Sequence, residues 1–201
     1  MNKHHLHHLF TKLRIIKPYY FLILALVWGV ICLFALRSNN QHMLSLRQAV
    51  YNADKDNGDI EGSLQNLQAY VTSHMNTELA AGPSAVYPPI QLKYTYDRLV
   101  EKQNLQLQQA NAQIYTAAQA YCEQQNSHDF SGRNRVPCIE QYVTSHGVKI
   151  APIADGLYKF AFVSPKWSPD LAGWSKVFGF LSLFAAAFWW LVTRWLRSKA
   201  S

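Results

Sequence analysis

At 201 residues, 49% of them hydrophobic, the chain can hold one folded domain together with membrane segments. Its formal charge of +7 has the sign of a nucleic-acid binder, but the distribution removes that reading. Lys3, Lys12, Arg14 and Lys17 precede the first long apolar run, and Arg194, Arg197 and Lys199 follow the last. The remaining basic side chains, Arg37 to Lys176, only balance the 12 acidic ones. The excess sits in two tails, the pattern of segments kept on the cytoplasmic side of a membrane, so no nucleic-acid partner is expected.

Residues 1–18 carry Leu6, Leu9, Phe10, Leu13 and Ile16 at helical spacing among basic residues. This predicts a cytoplasmic amphipathic tail lying on the inner membrane surface. His4, His5, His7 and His8 form a tract that can bind divalent metal. With no carboxylate beside them, they read as a polar, partly cationic tail. Tyr19–Leu36, YYFLILALVWGVICLFAL, holds no charge and no proline. As a helix rising 1.5 Å per residue it approaches the roughly 30 Å hydrocarbon core of a bilayer, and it is transmembrane helix 1. A signal peptide would share the basic flank. However, the apolar core 21–36 is long for one, and Phe34-Ala35-Leu36-Arg37 offers no small-residue cleavage site, so the segment is read as an uncleaved anchor.

Residues 37–167 are read as an extracytoplasmic helical domain. Met43, Leu46, Val50 and Ala53 predict a helix over 41–54 that continues out of the span. Asp54–Gly58 breaks it, and Asp59 is placed to cap a second helix, 59–76, whose face is Ile60, Leu64, Leu67, Val71 and Met75. Pro83, Pro88 and Pro89 make 80–90 a connector. Gln91–Gln125 then reads as one long helix of about 50 Å, with Leu92, Tyr96, Leu99, Leu107, Ala110, Ile114, Ala117 and Tyr121 on one face. It is expected to pack centrally against 41–54 and 59–76. After a polar loop, 126–135, Pro137 opens a short helix, Cys138–His146, ended by Gly147. Val148–Ile153 and Leu157–Val163 flank Ala154-Asp155-Gly156, a β-hairpin signal, with Pro152 marking an edge strand. Cys122 and Cys138 are expected to form a disulfide in an oxidising compartment, worth roughly 3 kcal/mol for a loop of about 15 residues. Cys32, inside the first span, is read as a packing residue.

Ser168-Pro169-Asp170 combines a hydroxyl cap, a first-turn proline and an acid, so 168–196 is read as an interfacial start followed by transmembrane helix 2, with 197–201 a second cytoplasmic tail. Tyr19, Tyr20, Trp167, Trp174, Trp189, Trp190 and Trp195 fall where interfacial membrane anchors belong. Ala25/Gly29, Ser175/Gly179 and Ser182/Ala186 have the small-xxx-small spacing that lets antiparallel spans approach closely. The expected fold is therefore mainly α. A two-span transmembrane helical hairpin carries an extracytoplasmic helical-bundle domain with a long central helix and a small β-hairpin. In outline it resembles the helical sensor regions of bacterial receptors that hang between two spans, although no signalling domain is expected after Trp195.

Three groups of residues invite a chemical reading. Asp54, Asp56 and Asp59 resemble a calcium loop, but counting from Asp54 the EF-hand glycine falls at the fifth position and Gln65 stands at the twelfth. They remain loose metal candidates, set against a plain interhelical turn with a cap. Tyr-Val-Thr-Ser-His occurs at 70–74 and again at 142–146. His74 and His146 are thus candidates for a metal site or a pH switch, set against a reused helix ending in which histidine meets the negative end of the helix dipole. Ser73 and Ser145 adjoin those histidines without an elbow motif, and neither a phosphate-binding glycine loop nor Cys-x-x-Cys is present. No cofactor and no catalytic constellation is expected. The partners anticipated are the lipid bilayer and a protein, or a second copy, met through the spans or helix 91–125. The expected function is a non-enzymatic scaffold or accessory subunit of a cell-envelope complex. A ligand sensor acting through a separate partner and a membrane-bound hydrolase are the alternatives.

Overall fold

The computed structural model describes residues 17–80, 86–125, 127, 132–148 and 150–200. The expected amphipathic tail with its histidines (up to residue 16), Pro83 of the connector and most of the loop before Gly132 lie outside the described residues. In chain order the elements are α1 (Tyr19–Asp56), α2 (Ile60–Ser73), β1 (Ile90–Gln91), α3 (Lys93–Gln125), α4 (Arg135–His146), a 3-10 turn (Asp155–Leu157), β2 (Lys159–Phe160) and α5 (Leu171–Ala200). The protein is mainly helical with a small antiparallel two-stranded sheet. Its α1 and α5 are long and apolar enough to cross a membrane. The chain forms two compact units: 1–53, 58–87 and 161–201 make the first, 54–57 and 88–160 the second.

In the first unit α1 runs unbroken from Tyr19, because neither glycine nor proline stands between Leu36 and Met43 to stop it. Its apolar half pairs antiparallel with α5. The Phe21 ring lies 6.4 Å from Trp189, and Trp28 lies 5.0 Å from Phe178. Small residues make the approach possible. Ser175, Ser182 and Ala186 are buried, and a Cβ on Gly179 would already meet Trp28 at 3.7 Å. The large side chains point away: Leu26, Leu33, Phe34 and Phe184 are 68–74% exposed. Farther along, α2 folds back on α1, burying Met43 and Val50 of one and Leu67 and Val71 of the other. Asp59 caps α2 by accepting from the Gly62 amide at 2.9 Å. A Cβ on Gly62 would collide with that carboxylate at 2.2 Å.

The second unit starts from Asp54, whose buried carboxylate accepts from the Tyr94 and Thr95 amides, the Thr95 hydroxyl and the Arg98 guanidinium. That cap starts α3 at Lys93, two residues later than the periodicity suggested. Ile90 and Gln91 are strand, paired with Phe160 and Lys159. The expected β-hairpin across Asp155-Gly156 is therefore corrected. That dipeptide closes a 3-10 turn in which Asp155 accepts from Tyr158 and Lys159, and β2 finds its partner in the segment that precedes α3. The segment after α4 runs along α3 instead, with Gln103 donating to the Ala151 carbonyl and Tyr96 against Tyr158.

The long helix is grouped in the second unit, where its C-terminal part packs against α4 and the Cys122–Cys138 disulfide joins the two. The disulfide pulls Cys122 inside, so the buried stripe passes through Ala118, one turn before it, and leaves the anticipated Ala117 exposed. Gly147 ends α4 with extended backbone (φ −57°, ψ 139°) rather than the left-handed turn usual for a glycine cap. What it supplies is space, since a Cβ there would stand 2.9 Å from the Val143 carbonyl.

Candidate functional site

Three segments of the first unit converge on a polar latch. After α2, His74 donates its amide to the Tyr70 carbonyl, and Asn76 takes a left-handed conformation (φ 62°) that asparagine tolerates better than most residues. This turn carries the backbone of Met75 against α1 and the start of α5. Asn39 Nδ2 donates to Asp170 Oδ2 at 2.6 Å and to the Met75 carbonyl at 3.3 Å. The Met75 amide donates to Ser168 Oγ at 3.0 Å, and Asn76 Nδ2 donates to the Leu36 carbonyl at 3.0 Å. Ser168 is buried, and Ala35, Met75 and Ala172 pack as an apolar cluster.

Ser168 is consequently not the cap that its position suggested. Asp170 caps α5 instead, its Oδ1 accepting from the Gly173 amide at 2.9 Å and its carbonyl from Trp174. The polypeptide passes so close here that a Cβ on Gly173 would fall 1.8 Å from the Ser168 carbonyl oxygen. Burial pushes the Asp170 carboxyl up. The Gly173 amide, Asn39, Ser168 and the nearby His74 outweigh burial and hold it below the usual carboxylate range. Burial, and then the Asp170 charge, push the Tyr70 hydroxyl up.

Tyr70 meets two imidazoles, stacking on His74 at 4.1 Å and tilted against His42 at 4.5 Å between ring centroids. The second copy of the motif reproduces the local half of this arrangement. Tyr142 and His146 stack at 4.2 Å with the same 15° tilt. In both copies the histidine Nδ1 lies near the preceding serine Oγ, at 2.9 Å, and near the tyrosine carbonyl, at 3.0–3.1 Å. A carbonyl only accepts, so the tautomer with the proton on Nδ1 would satisfy this contact, and the other tautomer would accept from the serine. A general base would need its lone pair there, and each serine hydroxyl also lies within reach of a helix carbonyl. The Ser–His neighbours form a helix ending, every contact of which spans at most four residues.

Asp54 is consumed in capping α3 and Asp59 in capping α2, while Asp56 is exposed. His74 and His146 each belong to their own unit and their own motif. Among the described residues no group of three or more His, Cys, Asp or Glu is placed to hold a metal ion. Of the aromatic anchors, Tyr19, Tyr20, Trp167, Trp174, Trp190 and Trp195 are exposed, and Trp189 is partly covered against Phe21. Sequence reasoning missed Asn39 and the role of Ser168. The available signal was Asn39-Asn40 inside an otherwise strong helix, a costly choice that a tertiary partner has to justify. Compared with known proteins, the chain matches no protein-family model, no curated protein and no solved structure.

Proposed function

We propose that this is an integral membrane protein with two spans, both termini cytoplasmic and residues 37–167 extracytoplasmic, acting as a non-enzymatic scaffold or accessory subunit of a cell-envelope complex. The observation that carries this reading is the α1–α5 pair. Its small residues face inward and its leucine and phenylalanine side chains face outward, an arrangement suited to lipid and costly in water. The basic tails set the orientation, and the disulfide suits an oxidising compartment. Against the hydrolase alternative stands the use of each serine hydroxyl within its own helix ending, where it donates to a backbone carbonyl. The sensor alternative draws on one feature, the unbroken α1, which would transmit movement between the span and the latch at Asn39.

Two experiments test the reading. Affinity purification of the tagged protein from gently crosslinked membranes is expected to bring a protein partner with it, and recovery as a lone monomer removes the scaffold proposal. Thiol labelling of cysteines introduced at Asn57 and Ser198 is expected to place them on opposite sides of the membrane. Labelling from the same side rejects the two-span topology.

A further inference from the structure

We propose that the cleft between the C-terminal part of α3 and α4 binds a neutral saccharide. The cleft measures about 510 Å³ and is lined by Tyr121, Gln125, Gln141, Tyr142, Ser145 and His146, together with the disulfide-bonded Cys138. That volume lies within the range of small-molecule sites, roughly 300–1,000 Å³. Among the described residues its lining is uncharged, with aromatic rings and primary amides in place of Asp, Glu, Lys or Arg.

Three rings stand together at the cleft. Tyr142 and His146 stack nearly parallel, and Tyr121 joins them at 5.2 Å and 40°. The negative faces of such rings attract the weakly positive C–H face of a pyranose. The polar groups have capacity left over. His146 turns Nδ1 toward the Tyr142 carbonyl and the Ser145 hydroxyl, which leaves Nε2 to face a ligand as acceptor or donor according to tautomer. Gln125 donates to the Tyr121 hydroxyl, leaving its own oxygen as acceptor and the phenol hydrogen as donor. Gln141 has no hydrogen-bond partner among the described residues and offers both functions. Neighbouring sugar hydroxyls, each donor and acceptor, match this set.

Other ligand classes fit less well. A phosphate or carboxylate would find no cation among the described residues of the lining, and charge-assisted bonds are what usually hold such groups. A quaternary ammonium would use the rings but leave the amides unpaired. The disulfide ties α4 to α3 at this point, so the cleft is pre-organised and little ordering cost falls on binding. The inference does not depend on the membrane reading.

The test uses the full chain in phospholipid nanodiscs, because glycoside detergents would compete for the cleft. Saturation-transfer NMR with tetrasaccharides of glucose and of N-acetylglucosamine is expected to show transfer to the ring protons of at least one. An oligogalacturonate and choline are expected to show none. Gln141→Ala and Tyr121→Ala, both at exposed side chains, should each weaken binding about three- to tenfold, the scale of one lost hydrogen bond. His74→Ala, in the other copy of the motif, should leave binding unchanged. Absence of transfer from both neutral sugars at about 10 mM, beyond the range of useful affinity, overturns the proposal. So does binding that survives the double variant, or transfer to choline alone.

Discussion

Tyr70–His74 and Tyr142–His146 are the same five residues in the same local geometry, yet they occupy opposite kinds of environment. The first is built into a junction: the His42 ring lies against Tyr70, Asp170 lies near, and the residue after the motif bonds to Ser168 and Asn39. The second stands at the rim of a cleft, with its histidine exposed and a glycine following it. Local sequence is enough to fold a helix ending, because every bond in it spans at most four residues. Whether that ending acts as a latch or lines a cleft depends on groups as many as 131 residues away, as the Asn39–Asp170 bond illustrates.

The comparison is broken most forcefully through its glycines. Gly173→Ala places a Cβ 1.8 Å from the Ser168 carbonyl, a collision with backbone that no rotamer relieves. It should destabilise the first unit by about 3 kcal/mol or more, at the upper end for overpacking. Gly147→Ala meets Val143 at 2.9 Å and should cost only about 1 kcal/mol. Thermal unfolding of the two variants separates them, and equal losses would mean that the latch is no tighter than the free helix end.

Removing the disulfide acts on the other copy. Cys122→Ser with Cys138→Ser releases a link of sequence separation 16 and should cost about 3 kcal/mol. Hydrogen exchange should rise in α4 and the end of α3, while the Met75 amide keeps its protection. Histidine truncation then sharpens the contrast. His74→Ala loses a ring packed on Tyr70 in a half-buried junction and should cost about 1–2 kcal/mol. His146→Ala, at an exposed position, should stay within about 0.5 kcal/mol. Chemical denaturation read separately in each unit checks this pair.

Acid gives the smallest and most local effect. The Asp170 carboxyl is depressed in the folded state, so its stabilisation is present above the ordinary carboxylate pKa of about 3.9 and is lost as pH falls through the folded value. Exchange of the Met75 and Gly173 amides, corrected for intrinsic rate, should therefore rise below about pH 4. Asp170→Asn should flatten that dependence, and the amides of Tyr142–His146 should not follow it. A profile unchanged by Asp170→Asn would place the acid-sensitive group elsewhere.

Much of this architecture is legible in the residues. Two apolar runs become α1 and α5, the small residues of α5 mark the seam while Gly29 of the expected α1 pair stays exposed, Asp59 caps α2, and nothing interrupts the helix that leaves the first run. These readings succeed because each rests on helical period, on a cap within three residues or on the absence of a breaker. The readings that failed all depended on distant partners. Two-residue strands carry no alternation, so the pairing of Ile90 with Phe160 left no local trace, and Asp155-Gly156 satisfied its turn preference in a 3-10 turn. Ser168 and Asp170 are equally able to cap a helix, and the amide of Met75 claimed the serine.

Local sequence was enough for the existence of the helices, the capped start of α2 and the stacked Tyr–His unit at two helix ends, because these follow from interactions within a turn or so of the chain. Only the tertiary structure decided which helix packs on which, which copy of the motif is enclosed and which lines a cleft. Those outcomes turn on backbone approach at Gly173, on the cross-link at Cys122 and on partners that no local pattern encodes.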